Sequence, residues 1–327
     1  MQRRGQAASE QAVPLPVSVI VPAYNRAHML ERCLTSIWSQ RPRIPAEVLV
    51  IDDGSADDTA EVAERLGASV VRHPHNRGLS AARNSGLRAA SHEWVALLDS
   101  DDEWQPHHLG HLWPLRESHV LVAGSALMCG ADPLKDHFHG PVSSKPVVLR
   151  SGDRLICPGN MIAPSGALVQ RDLALRVGGF QSYRGGVEDL DMWLRLLQHG
   201  TAICSPRVSV IYHVHSDQLS LQDQSSKRLA TGEATRAHMQ RTGGSRASIR
   251  RWEGIEAWDS LRAALRASDS RGAVRWGRRM IAHPHSLEGV ASVLLWRFRL
   301  RRRSVSLRAI GVGPAGREKS LAPGRRR

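Results

Sequence analysis

Two short acidic runs, Asp52-Asp53-Gly54-Ser55 and Asp99-Ser100-Asp101-Asp102, each follow an apolar stretch of strand length, Glu47 to Ile51 (EVLVI) and Trp94 to Leu98 (WVALL). Carboxylates gathered where a buried strand ends call for polar ligands, and oxygen donors on a tight turn suit a hard divalent cation such as Mg2+ or Mn2+ with a phosphate-bearing substrate. A third acidic set, Glu188-Asp189 and Asp191, opens a stretch in which Leu190, Trp193, Leu194 and Leu197 recur at helical spacing. Acids at a helix start favour its dipole, and one of them within reach of a hydroxyl can act as general base. On this pattern Asp191 is expected on the exposed side of the first turn. Arg77 and Arg83 flank a second helix start at Gly78, where cations and free N–H groups would favour a diphosphate.

The elements that must position these residues alternate. Val17 to Val21 reads as a strand, Pro22-Ala23-Tyr24-Asn25 as a loop whose Asn25 caps the next helix, and Leu30, Cys33, Leu34, Ile37 and Trp38 as that helix's apolar stripe, with Arg32 and Gln40 outside it. Strand 47–51, helix 57–66, strand 69–71, a helix between Asn76 and Ser91, and the strand ending at Leu98 follow. Continuous apolar strands alternating with amphipathic helices predict a mostly parallel sheet with helices on both faces, its ligands beyond the carboxyl ends of the strands. After residue 103 the pattern weakens, with strands expected at 120–123, 167–169 and 208–212, an irregular stretch around Gly130 to Pro146, and a helix from about Glu188 to Gln198.

The formal charge of +14 is uneven. Residues 227–327 carry 24 Lys plus Arg against 7 Asp plus Glu, a net of +17 that leaves −3 for residues 1–226. A near-neutral domain joined to a basic, helical, Arg-rich segment implies an anionic partner for the latter. Leu294, Leu295, Trp296, Phe298 and Leu300 alternate with Arg297, Arg299 and Arg301 to Arg303. Such a segment can rest on an anionic membrane surface, each cation adding about 1 kcal/mol, or pack as a helical subdomain with a solvated Arg face. Residues 1–15, a polar stretch running into Pro14-Leu15-Pro16, read as a disordered arm. Cys33, Cys129, Cys157 and Cys204 are far apart, so free buried thiols are expected rather than a zinc or dithiol site. No apolar leader and no run of 18 apolar residues occurs in the sequence, which places the expected chain in the cytoplasm, free or held on a membrane face.

In order, VSVIVPAYN, EVLVIDDGSADDT, NRGLSAARNSG, LLDSDDEW, VEDLDMWLRL and YHVHSDQLS compose a pattern that resembles the family 2 glycosyltransferases of GT-A fold, over roughly residues 16–221. The resemblance implies a nucleotide-diphosphate sugar donor, a divalent metal (Mn2+ or Mg2+) and inversion at the anomeric carbon. By the same resemblance, Asp99, Asp101 and Asp102 match the Asp-x-Asp element, with Asp99, Ser100 and Asp101 on the nucleotide sugar, Asp101 and Asp102 on the metal and Asp99 on the ribose. Asp53, with Asp52 beside it, would bind the nucleobase in a pocket lined by Pro22, Ala23 and Tyr24, and Arg77 and Arg83 the diphosphate. Asp189 would be the base, Glu188 would orient it or the acceptor, and His215, rather than His213, would complete the metal shell or touch the diphosphate. Processive members carry a Gln/Arg-x-x-Arg-Trp element; here Ser248 precedes Arg251-Trp252 at the first position, which favours one sugar per encounter. The expected organisation is an arm over 1–15, a GT-A domain over 16–225 and a basic helical region over 226–327. The donor is expected to be a UDP-sugar and the acceptor a cell-surface glycan or its lipid-linked precursor. Two other classes fit less well. A sugar-nucleotide-forming nucleotidyltransferase needs a Gly-rich triphosphate loop that PAYNRAHML lacks, and a nucleic-acid binder would be repelled by the acidic clusters.

Overall fold

The computed structural model describes residues 15–41, 45–130, 137–156, 160–183, 186–215 and 224–243, with shorter stretches between 253 and 295. Its centre is one sheet between two helical layers. The first half is the expected alternation: β1 (Leu15–Ala23), α1 (Ala27–Trp38), β2 (Pro45–Asp52), α2 (Thr59–Arg65), β3 (Ser69–Arg72), α3 (Leu79–Ala89) and β4 (Trp94–Leu97). The second half holds β5 (Glu103–Trp104), α4 (His108–Leu112), β6 (Leu121–Cys129), β7 (His137–His139), β8 (Val147–Leu149), α5 (Asp153–Ile156), β9 (Ala167–Gln170), α6 (Arg171–Arg176), α7 (Glu188–Leu196) and β10 (Ala202–His213). Beyond the sheet the described residues include α8 (Gln224–Thr242) and α9 (Ser270–Ile281).

The strand order is β3-β2-β1-β4-β9-β6-β10-β5, with β7 beside β6 and β8 beside β10. The expected parallel sheet runs from β3 to β4. Beyond it the sheet is mixed, because β9 inserts antiparallel between β4 and β6, and of the later pairings only β6 with β10 is parallel. The sequence hides this because buried strands read as apolar runs whichever way they point. Side chains alternate between two cores. Val17, Val19 and Val21 of β1 pack with Leu30, Leu34 and Ile37 of α1 on one face, while Ile20 packs with Ala82 and Leu87 of α3 on the other. Gly86 permits that second contact, since a Cβ there would lie 2.4 Å from Ile20 Cγ2.

Several local expectations are corrected. Leu15, assigned to the arm, is 2% exposed and opens β1. Asn25 does not cap α1: it adopts a left-handed φ of 53° and its Oδ1 accepts from the Ala56 amide instead, while Thr59 Oγ1 and Asp57 Oδ2 accept from Arg26 and Ala27 at the helix start. Gln40, outside the apolar stripe, is buried but bonded, donating to Ser36 O and Gln105 O and accepting from Leu109 N. Trp38, placed in the stripe, is exposed along one edge and donates to Leu66 O. Cys33, Cys129 and Cys204 are buried; Cys157 lies outside the described residues. So do Ser248, Arg251-Trp252 and Trp296 to Arg303.

Candidate active site

The loops after β1 and β2 are laced together. Asp53 N donates to Ala23 O (2.8 Å), Asn25 N to Ser55 Oγ (2.9 Å), and Gly54 turns at φ 77° where a Cβ would lie 2.5 Å from the His75 carbonyl carbon. Asp52 is buried and faces its own loop: Oδ1 accepts from Ser55 N and Oδ2 pairs with Arg72 (3.1 Å). Asp53 Oδ1 accepts from Arg77 N (3.0 Å) and contacts His73 Nδ1 (2.6 Å), and Oδ2 accepts from Gly78 N (2.7 Å). This carboxylate therefore sets the start of α3, and three of its roughly four acceptor positions are taken. Tyr24 is exposed at the mouth, Pro22 and Ala23 lie buried behind it, and the Arg77 side chain is exposed.

Beyond β4, Asp102 N donates to Asp99 O (3.0 Å), closing the acidic turn. The three acids part company there. Asp101 keeps part of its side chain exposed and faces His215 Nε2 at 2.9 Å. Asp99 pairs with Arg83 Nη2 (2.7 Å). Asp102, expected on the metal, is fully buried instead: its Oδ2 accepts from Ser165 Oγ (2.5 Å) and its Oδ1 from His213 N (3.1 Å). Burial, with Asp101 and Asp99 nearby, pushes its pKa well above the carboxylate range. These bonds make Asp102 a brace between the turn, the loop before β9 and the end of β10.

Arg83 also differs from its expected place. It is 1% exposed and does not face the cleft mouth. Its Nη1 donates to Glu188 and its Nη2 to Asp99, both at 2.7 Å, and the Phe180 ring lies 5.4 Å from its Cζ. Burial opposes the guanidinium's charge, but Asp99 and Glu188 outweigh it and hold the pKa above its ordinary value. One buried cation thus ties the end of β4 to the start of α7.

All three acids in the first turn of α7 are now accounted for. Glu188 is held by Arg83. Asp191, expected to be exposed, is buried and accepts from Arg195 Nε (2.9 Å) and Nη2 (2.6 Å), because α8 packs over the side of α7 that the sequence pattern left to solvent. Asp189 alone has no arginine; among the described residues its side-chain hydrogen bond is from the neutral amide of Asn160 (3.0 Å). Burial and the neighbouring Glu188 push its carboxyl up to about 6. A half-buried carboxylate with that pKa and one neutral partner can take a proton near neutral pH.

For a divalent cation, Asp101 and His215 offer one oxygen and one nitrogen donor in contact, and His215 Nδ1 is buried without a partner. No group of three or more such donors is arranged among the described residues. Two protein donors with the rest supplied by substrate phosphates is the usual way Mg2+-type ions are held, so the residues present fit the ion. His73, Asn160 and Ser165 were not foreseen. His73 has no motif of its own beyond following β3, and Asn160 and Ser165 fall where strand and helix signals are weakest.

Residues 18–174 match the family model described as Glycosyl transferase family 2. A pre-mycofactocin glycosyltransferase of Mycobacterium tuberculosis is 33% identical over 211 residues, covering 62% of this chain and 43% of that protein. The succinoglycan biosynthesis protein ExoU of Rhizobium meliloti is 39% identical over 137 residues, covering 39% of this chain and 40% of its own length. The chain thus spans less than half the length of these two relatives. Among solved structures, S. aureus TarS 1-349 in complex with UDP-GlcNAc is similar with a TM-score of 0.51 at 19% identity, over 79% of this chain and 89% of that one, a likeness of fold. Strand ends, acidic turn and matched sequence together place residues 18–174 in glycosyl transferase family 2, on a GT-A fold.

Proposed function

We propose that the chain is an inverting, metal-dependent, non-processive glycosyltransferase that moves a sugar from a nucleotide-diphosphate sugar to a hydroxyl of a cell-surface glycan or lipid-linked precursor. The observation that carries this is the single free acid: of Glu188, Asp189 and Asp191, only Asp189 is left unpaired by an arginine. In this reading Asp189 takes the acceptor hydroxyl's proton as the oxygen attacks the anomeric carbon and the nucleoside diphosphate leaves from the opposite face. Asp101 and His215 would hold the divalent ion, which supplies charge stabilisation for the departing diphosphate. The exposed Arg77 adds a cation at the same mouth. The acceptor position left on Asp53 favours a base edge that donates, as the uracil imide does, so a UDP-sugar is the donor of choice. We assign the transferase domain to residues 16–225 and membrane association to the basic segment that follows. No helix among the described residues is long and apolar enough to cross a membrane.

The test is nucleoside diphosphate release from a panel of nucleotide sugars with Mn2+ or Mg2+, water serving as acceptor. The wild type is expected to turn over at least one donor in a metal-dependent way, and Asp101→Ala to lose about 100-fold or more, in line with the loss of one charge-stabilising group. Absence of metal-dependent turnover with every donor would end this reading. A pH profile follows from the same site. Asp189 works only when ionised, and its carboxyl sits at about 6. The rate should be level above that value and fall about tenfold per unit below it; a profile flat through this range would remove Asp189 as the base.

A further inference from the structure

The segment after β10 reaches back to α7, the helix that carries Asp189; both lie beyond the matched residues 18–174. Helix α8 packs along α7, burying Ala230, Ala234, Thr235, His238 and Met239. At its far end Arg241 Nη2 lies 3.7 Å from Asp191 Oδ1, and the phenol of Tyr183, in the loop before α7, lies close enough to feel the Asp191 charge. Arg195 completes the cluster and extends it, donating to Val177 O (2.6 Å) and Gly179 O (2.7 Å). That Gly178-Gly179-Phe180 turn is gripped from the other side by Asn84 of α3, which donates to Phe180 O and accepts from Phe180 N.

Asp191 is thus a buried carboxylate that collects groups from three places: α7 itself, the loop before it and α8. Its neighbour two residues back is Asp189. Glu188 on one side is fixed by Arg83 and Asp191 on the other by Arg195, Tyr183 and Arg241, so the peptide bearing Asp189 is pinned at both ends. We propose that Tyr183 and Arg241 are positioning residues, closing a latch on Asp191 that aims Asp189 at the acceptor, so that α8 is a working part of the acceptor half of the site. The inference rests on the transferase reading for its activity arm only; the latch itself is a statement about α7.

Arg195 keeps its two-pronged hold on Asp191 when Arg241 is removed, so Arg241→Ala is expected to fold. Two readouts separate the latch from the reaction. Hydrogen exchange on the full-length chain, with no substrate, should show the amides of residues 188–191 exchanging about 10-fold faster in Arg241→Ala and in Tyr183→Phe, with β1 and β4 unchanged and Arg241→Lys restored towards wild type. In the hydrolysis assay the same variants should lose about 10-fold in kcat with donor KM unchanged. Unchanged exchange at 188–191 in both variants would overturn the latch whatever the activity shows. Faster exchange with wild-type kcat would overturn the positioning role while leaving the transferase reading intact. If the wild type shows no turnover, the failure belongs to the functional reading, and the exchange data still decide the latch.

Discussion

Asp189→Asn is expected to bind a nucleotide sugar with wild-type affinity and to turn it over about 10^2–10^4-fold more slowly, the range by which a positioned general base accelerates a reaction. The substitution is nearly isosteric, keeps a partner for the Asn160 amide, and removes only the ability to accept a proton. Nothing in the donor half depends on it: Asp101 meets His215, Asp99 meets Arg83, and Asp53 holds the start of α3. Titration calorimetry of donor with metal, beside a turnover assay, checks this. An equal loss of donor affinity and turnover would place Asp189 in donor binding and leave the reaction without its base.

Arg83→Ala is expected to cost about 3–5 kcal/mol of stability, because breaking a buried pair strands the remaining charges. Here two carboxylates are stranded, Asp99 and Glu188, each 2.7 Å from a guanidinium nitrogen. For a domain of this size the melting temperature should fall by roughly 2–4 °C per kcal/mol. Arg83→Lys separates charge from geometry. A lysine keeps a cation in the core but has no planar fork to reach both carboxylates at once, so it should recover much of the stability and little of the turnover. Thermal melts and kcat on both variants decide the matter. If the lysine variant recovered full turnover, Arg83 would matter for its charge alone and the tie between the end of β4 and the start of α7 would be irrelevant to the reaction.

The same residue shows how far the sequence could be read. The ordered motifs placed Arg83 near the chemistry, but its position on α3 gave no means of telling a cation facing a diphosphate from one facing inward. That depends on what α7, more than 100 residues along, brings against it. The N-terminal half was legible because local patterns decide it. β1, β2 and β4 are continuous apolar runs and α1 and α3 carry clear stripes, so the strand ends and the acidic loops beyond them follow directly. Asp102 was misplaced for the opposite reason. Two adjacent acids on one turn are alike in sequence, and only Ser165 and the His213 amide, from distant segments, sort the buried one from the exposed one. Asp191 was read as exposed because an amphipathic pattern assumes that the far side of the helix faces water; α8, whose own apolar positions are sparse, covers it.

The division of labour among the acids predicts a single displacement. In the proposed reading Asp189 takes the proton, and the other carboxylates near it are each held by a partner: Glu188 and Asp99 by Arg83, Asp191 by Arg195, Asp101 by His215. None is free to attack the sugar as a nucleophile. The direct test is the configuration of the sugar first released from an α-linked nucleotide donor, read from the anomeric proton by NMR before mutarotation. The β-anomer is expected; release of the α-anomer would contradict the assignment of Asp189 as the base of a one-step inversion.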